Sequence, residues 1–386
     1  NVDYRLRRQD VRDQSGDPVA PTLGCRIAEL EQASAVLLVG SDVRREVPIL
    51  AHRLRKGAVH RGTRVAFINT RPVDVLFPVT ANLASNGYGM AQHLAAVLSA
   101  ALRAAGQAVP ANVAAALEGV APTADHERIA GMLTQGALRL ILLGGLAERH
   151  AAFAELRALA VALAQATGAR LGYLPEGGNA VGAALAGATP HRGVGGRAVA
   201  KPGLAATEMI SARLRGYVLV GAVETPDLAP GPAVGSALAG ADCVVALTPY
   251  AGDELKSQAT VILPVAAFAE TSGTWVNVEG RWQSVPGAAR PPGEARPAWK
   301  VLRVLGNLLG LAGFEYLSSE EVRDELRREL GEYAEGHPAS NFAPGRLASL
   351  DATRDVGLYA VDAVVRRSRP LQETREAREG GQGGAA

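Results

Sequence analysis

Three glycine-bearing loops and one N-terminal run hold the residues of this chain that could do chemistry. Gly40-Ser41-Asp42 closes an apolar run and is followed by Arg44, Arg45 and Pro48. Main-chain N–H groups at a helix start can hold a phosphate, and the two arginines would add charge-assisted contacts. An ordinary strand-to-helix turn with solvated arginines has the same residues, and no Gly-x-Gly-x-x-Gly or Walker pattern favours the phosphate reading. The second loop, Pro175 to Pro190, contains Asn179 and Gly182 and could equally be an interdomain connector. The third runs from Glu270 through Thr271, Gly273, Thr274, Asn277, Glu279 and Gly280 to Arg281. Its glycines permit tight turns, and its Thr, Asn, Glu and Arg side chains offer hydrogen bonds able to tie one domain to another.

Metal and nucleophile chemistry have little to work with. Cys25 and Cys243 are the only cysteines, whereas an iron–sulfur cluster takes about four thiolates, or two with two histidines. Cys243 opens an apolar strand, which suggests a small core residue. None of the 7 histidines stands in His-Glu-x-x-His or another paired spacing. His52 and His93 fall in helical stretches and read as packing or surface residues. A Gly-x-Ser-x-Gly elbow is missing, so a hydrolase triad has no support.

The elements that must position these loops alternate. Residues 35–41 form a buried strand feeding a turn, 48–60 a helix with Pro at its start, and 64–69 a second strand, which together make one βαβ unit. Helices over 88–105 and 125–135, a strand over 138–143, a helix over 148–167 and a strand over 171–174 continue the pattern. Such alternation predicts an α/β fold, a doubly wound parallel sheet domain followed by a second α/β domain. The second sheet begins at 217–221, continues through a short helix over 232–240 and strands at 243–248 and 260–263, and is followed by a hairpin-like excursion over 275–285. Residues 297–311 and 318–333 read as helices, the latter capped by Ser318 with acids in its first turn. The expected division is 1–190 Rossmann-like, 191–296 second α/β, 297–365 helical, and 366–386 a charged, Gly-rich tail that is disordered or binds a partner.

Composition narrows the function classes. A hydrophobic share of 48% with 20% charge marks a folded chain. Balanced charge, 40 basic against 38 acidic residues, gives no electrostatic case for nucleic acid. No run approaches the roughly 20 apolar residues that span a bilayer. The start at Asn1, without Met or signal segment, reads as a piece of a longer polypeptide.

The order Glu270-Thr-x-Gly273-Thr274-x-x-Asn277-x-Glu279-Gly280-Arg281 resembles the molybdopterin oxidoreductase superfamily, and Asn179 with Gly182 matches that family's Asn-x-x-Gly loop. Formate dehydrogenase-type members carry Asn-Val-Asp-x-x-x-Arg-x-Cys (or selenocysteine)-His, whose thiolate or selenolate binds the metal. Here Asn1, Val2, Asp3 and Arg7 match, but Gln9 stands at the ligand position and Asp10 replaces the His. An amide is a poor substitute for a thiolate at a soft metal site. That substitution, with the wording of residues 27–31, 50–56 and 172–179, is similar to the G-subunit family of bacterial NADH:quinone oxidoreductase, respiratory complex I. The resemblance covers residues 1 to about 310 and the tail adds nothing to it.

It implies a non-catalytic scaffold within an enzyme that passes electrons from NADH to quinone. Gly40, Ser41, Asn179, Gly182, Thr271, Gly273, Thr274 and Asn277 would be vestigial pterin-site positions, with no catalytic residue, no metal and no cofactor held by this segment. The parent polypeptide would carry 4Fe-4S and 2Fe-2S clusters upstream of Asn1. Partners would be other subunits of the peripheral arm at the cytoplasmic face of the bacterial inner membrane, without direct membrane insertion. Side chains or loops would fill the pterin space, since a large empty polar cavity is unstable. Two alternatives stand beside this reading: a truncated active molybdopterin enzyme of the formate dehydrogenase type, and a plain nucleotide-binding module using the Gly40 turn.

Overall fold

Ala35-Val-Leu-Leu-Val39 is apolar at every position, which suits a strand covered on both faces. The computed structural model describes residues 1–84, 89–229, 231–331, 340–347, 356–357 and 359–381. There this run is β1 (Ala35–Val39), the centre of a five-stranded sheet of order β3-β2-β1-β4-β5, with β2 Arg64–Asn69, β3 Ala81–Ala84, β4 Arg139–Leu143 and β5 Arg170–Tyr173. Every pairing is parallel; Val36 faces Val65 on one side and Leu140 on the other.

Helices α1 (Val43–Glu46) and α2 (Pro48–His60) follow β1, α3 (Gly89–Ala105) follows β3, and α4 (Ala114–Leu117) and α5 (Ala124–Leu133) lead into β4. After β4 come α6 (Gly145–Glu148) and α7 (Phe153–Thr167), and after β5 comes α8 (Ala180–Leu185). The period of two along β1 divides its side chains between two cores. Leu37 and Val39 pack with Leu94 and Leu98 of α3, Ile129 of α5 and Leu159 of α7. Val36 and Leu38 pack with Leu50 and Leu54 of α2 and with Leu23 and Leu30 of the N-terminal segment. The sheet is therefore doubly wound.

Two details of this domain depart from the sequence-based expectation. β3 has no counterpart there, because Ala-Asn-Leu-Ala lacks β-branched residues and becomes a strand only through pairing with Ala66–Asn69. The helix expected over 148–167 is two helices with a turn between them. His150 Nδ1 accepts the Ala152 N–H at 2.9 Å and Asp10 Oδ2 accepts the Ala154 N–H at 2.8 Å, so α7 is started afresh by side chains. Of the helix expected over 88–105, residue 88 lies outside the described residues; so do 332 and 333 of the helix expected over 318–333.

The second domain holds α9 (Ala206–Ser211), β6 (Gly216–Val220), α10 (Gly231–Ala239), β7 (Cys243–Thr248), α11 (Asp253–Gln258) and β8 (Val261–Pro264), with parallel strand order β6-β7-β8. Tyr217, Leu219, Val244 and Ala246 turn to a core with Val234, Leu238 and Leu255, whereas Val218, Val220, Val261 and Leu263 are exposed. Helices thus cover one face only. Cys243 is exposed, not a core residue, because it begins β7 on the uncovered side.

β9 (Gly273–Val276) and β10 (Trp282–Val285) form the antiparallel hairpin expected over 275–285, with Trp282 opposite Val276. α12 (Ala298–Leu308) and α13 (Ser319–Leu330) follow, and Ser318 Oγ accepts the Glu321 N–H at 3.2 Å as the cap of α13. α14 (Arg369–Gln372) and α15 (Arg375–Gly381) stand where a disordered tail was expected. An Arg369–Glu373 pair at 2.9 Å supports the first of them locally. Residues 382–386 of that expectation lie outside the described residues. Among the described residues no helix is long and apolar enough to cross a membrane.

Candidate functional site at the domain seam

The N-terminal run is a thread stitched to both domains. Asn1 Oδ1 accepts the Leu204 N–H at 2.8 Å, and Asp3 Oδ2 accepts the Ala206 N–H at 3.1 Å, at the start of α9. Arg7 pairs with Glu176, after β5, and with Asp227 of the second domain, so one guanidinium bridges the two. The Gln9 amide donates to the Arg149 carbonyl at 2.9 Å, and Asp10 caps α7. Arg5 and Arg8 both reach Asp17 at 2.7 Å. Burial would raise the Asp17 carboxyl, but Arg8 and Arg5 hold it below its ordinary value.

The loops singled out in the sequence come together only in part. Asn179 meets the hairpin: its Oδ1 accepts the Val276 N–H at 2.8 Å and its Nδ2 reaches the Thr274 carbonyl at 3.5 Å. Gly182 sits under the same side chain, where a Cβ would run into the Asn179 amide. Thr271 and Gly273 lie at the hairpin entrance, and Asn277 Oδ1 closes its turn by accepting the Glu279 and Arg281 N–H groups at 3.1 and 2.9 Å. The hairpin is tied back to the first domain: Glu279 accepts the Ile27 N–H and the Val278 carbonyl accepts the Leu23 N–H, both at 2.7 Å.

Gly40 and Ser41 are elsewhere and shut in. Gly40 has φ of 62°, its carbonyl accepts the Leu146 and Ala147 N–H groups, and a Cβ there would meet the Ala147 main-chain nitrogen. Ser41 is fully buried, its Oγ donating to Glu46 at 2.8 Å and its carbonyl accepting from Asn69. Arg44 donates to the Asp74 carbonyl at 2.8 Å and Arg45 lies 3.5 Å from Asp42. His52 is exposed, and His93 is paired with His126 at 2.9 Å.

Between the domains lies a cavity of about 400 Å³. Its walls include Tyr4, Arg7, Arg8, Glu148, His191 and Asp227, and Val361 and Ala363 contribute from the C-terminal segment; Asn179 and Thr274 do not line it. Burial pushes the Glu148 carboxyl up to about 7; Arg8 opposes that and Asp17 adds to it. Burial and the neighbouring Arg5 push His191 down to about 4. Sequence reasoning missed Glu148, Asp227 and His191, because only tertiary packing places a helix end, a loop after β6 and a turn after α8 around one void.

Residues 1–308 match the pattern described as Molybdopterin oxidoreductase. The chain belongs to that family. The NADH-quinone oxidoreductase G subunit of Streptomyces coelicolor is 31% identical over 310 residues, covering 74% of this chain and 34% of the relative. The protein of the same name from Mycobacterium tuberculosis is 30% identical over 323 residues, covering 75% and 35%. The mitochondrial NADH-ubiquinone oxidoreductase 78 kDa subunit of Candida albicans is 42% identical over 96 residues, covering 24% and 12%. The chain thus spans about a third of the length of the two bacterial relatives. The resemblance drawn from residues 1 to about 310 is matched by relatives of that kind.

The residues present do not fit a pterin-held metal. The ligand position offers a neutral amide already engaged with the Arg149 carbonyl, the Gly40 turn is closed against α6, and Asn179 is taken up by the hairpin.

Proposed function

We propose that this chain is a non-catalytic scaffold region of the G-type, cluster-bearing component of NADH-quinone oxidoreductase, the whole complex moving electrons from NADH to quinone. Gln9 carries this reading. At the place where metal-bearing members present sulfur or selenium, an amide donates to a main-chain carbonyl and helps hold the N-terminal thread to α6 and its turn. The vestigial pterin positions join hairpin, loop and sheet. Clusters of the 4Fe-4S and 2Fe-2S kinds would be bound by sequence outside this chain. Neighbouring subunits of the peripheral arm would be its partners, at the cytoplasmic face of a bacterial inner membrane.

Metal analysis of the purified complex containing this chain tests the proposal. Molybdenum and tungsten are expected far below stoichiometric amounts, and Gln9→Ala should lower the quantity of assembled complex without lowering turnover per complex. Stoichiometric molybdenum or tungsten, lost in Gln9→Ala, would favour a truncated molybdopterin enzyme instead.

A further inference from the structure

The interdomain cavity holds two polar groups that nothing in the scaffold reading uses. Glu148, the last residue of α6, and Tyr4, from the N-terminal thread, both line it. Among the described residues no hydrogen bond or ion pair reaches the Glu148 carboxylate or the Tyr4 hydroxyl, and neither is sealed away as an orphaned buried atom. Most of the other charges around them are matched, while both ring nitrogens of His191 and Nη1 of Arg192 have no hydrogen-bond partner among the described residues. Asp17 is held by Arg5 and Arg8, Glu176 by Arg7 and Arg149, and Asp227 by Arg7 and Arg366. The guanidiniums of Arg5, Arg7, Arg8, Arg149 and Arg366 are thus engaged with other carboxylates, Arg192 donates to the Ser15 carbonyl, and Glu148 is left as the carboxylate without a partner.

A carboxylate held in a partly dry cavity without a partner is costly unless it is neutralised or paired. Pro18, Val19, Phe153, Ala184 and Val223 give part of the cavity wall an apolar lining. A volume of about 400 Å³ falls within the range of roughly 300–1,000 Å³ usual for small-molecule sites. The complement to this arrangement is a compact apolar body bearing one strong hydrogen-bond donor. A positive donor serves better than a neutral one, because it also compensates the charge of Glu148.

We propose that this cavity is a binding site for a small organic ammonium compound, whose amine pairs with Glu148 and Tyr4 while its hydrocarbon part packs on the apolar wall. The site goes beyond the scaffold reading and does not depend on it: a scaffold can carry it, and so can an enzyme. Protonation of Glu148 removes the ion pair. Since burial places that carboxyl at about 7, affinity for an amine that stays charged should fall about tenfold from pH 8 to pH 6.

Thermal-shift titration and calorimetry of the 386-residue chain with benzylammonium chloride test this, with benzyl alcohol and sodium chloride at matched ionic strength as controls. Saturable stabilisation by benzylammonium alone is expected, weakened at least tenfold in Glu148→Gln and severalfold in Tyr4→Phe, with the stated pH dependence. If Glu148→Gln does not fold, Tyr4→Phe and the pH series in the unaltered chain still decide. Equal response to the alcohol, absence of saturable binding, or affinity flat between pH 6 and pH 8 would each overturn the site. Failure here leaves the metal content of the complex, and so the scaffold reading, untouched.

Discussion

Arg157 heads the largest fully buried side chains of the fold. It pairs with Asp13, donates to the Gly16 carbonyl and reaches the Asp13 carbonyl at 3.1 Å, while Ser340 Oγ donates to the same Asp13 carboxylate at 2.8 Å. Removing one member leaves the other charged and dry. Arg157→Ala is therefore expected to cost about 3–5 kcal/mol in urea denaturation, and the double change Arg157→Met with Asp13→Leu to recover much of it. A second residue-scale device is the His93–His126 contact. His126 Nδ1 accepts the Thr123 N–H at 2.9 Å as the return half of a capping box, which leaves Nε2 to carry the proton given to His93. Burial lowers both rings below the ordinary value of 6.5, His126 adding to this at His93 and Asp125 opposing it at His126. The unfolded chain then binds more protons as pH falls through the ordinary histidine range. Stability present above that range declines below it. His126→Gln keeps the cap and should make this decline shallower, as measured by denaturation midpoints from about pH 8 to pH 5.

Elements here are fixed by close approaches as much as by propensity. The turn after β1 needs the positive φ of Gly40 and its contact with the α6 backbone. Gly40→Ala should destabilise by more than about 1 kcal/mol, read as a lowered melting midpoint. Asn179 acts between elements, joining the start of α8 to β9. Asn179→Ala strips a partner from the Val276 N–H, at an expected cost of about 1–3 kcal/mol. Hydrogen exchange should accelerate across the hairpin while β1 and β4 keep their protection. Acceleration spread evenly over the chain would contradict that local role.

The whole molecule is joined across its seam by charge pairs. Arg7 and Arg366 converge on Asp227, one from the N-terminal thread and one from the C-terminal segment. Arg366 also meets Glu224 at 2.9 Å, and Val361 and Ala363 close one side of the interdomain cavity. Arg366→Ala should loosen the C-terminal segment, so that tryptic cleavage at Arg367 quickens severalfold while the five-stranded sheet stays protected. The uncovered face of the second sheet, by contrast, has no counterpart within the described residues.

The parallel sheet was legible in the sequence, since runs such as Ala35–Val39 and Arg139–Leu143 are apolar enough to demand cover on both faces. That an amide, not a thiol, stands at position 9 is likewise read directly from the chain. Tertiary structure alone decided the rest. β3 exists through its neighbour, α7 starts where Asp10 and His150 supply caps, and Cys243 is exposed because one face of its sheet is open. The cavity was equally invisible beforehand, because Tyr4, Glu148, His191 and Asp227 are far apart in sequence and carry no shared motif. Period and residue type report on local burial, whereas partnership between distant charges depends on how the chain crosses itself.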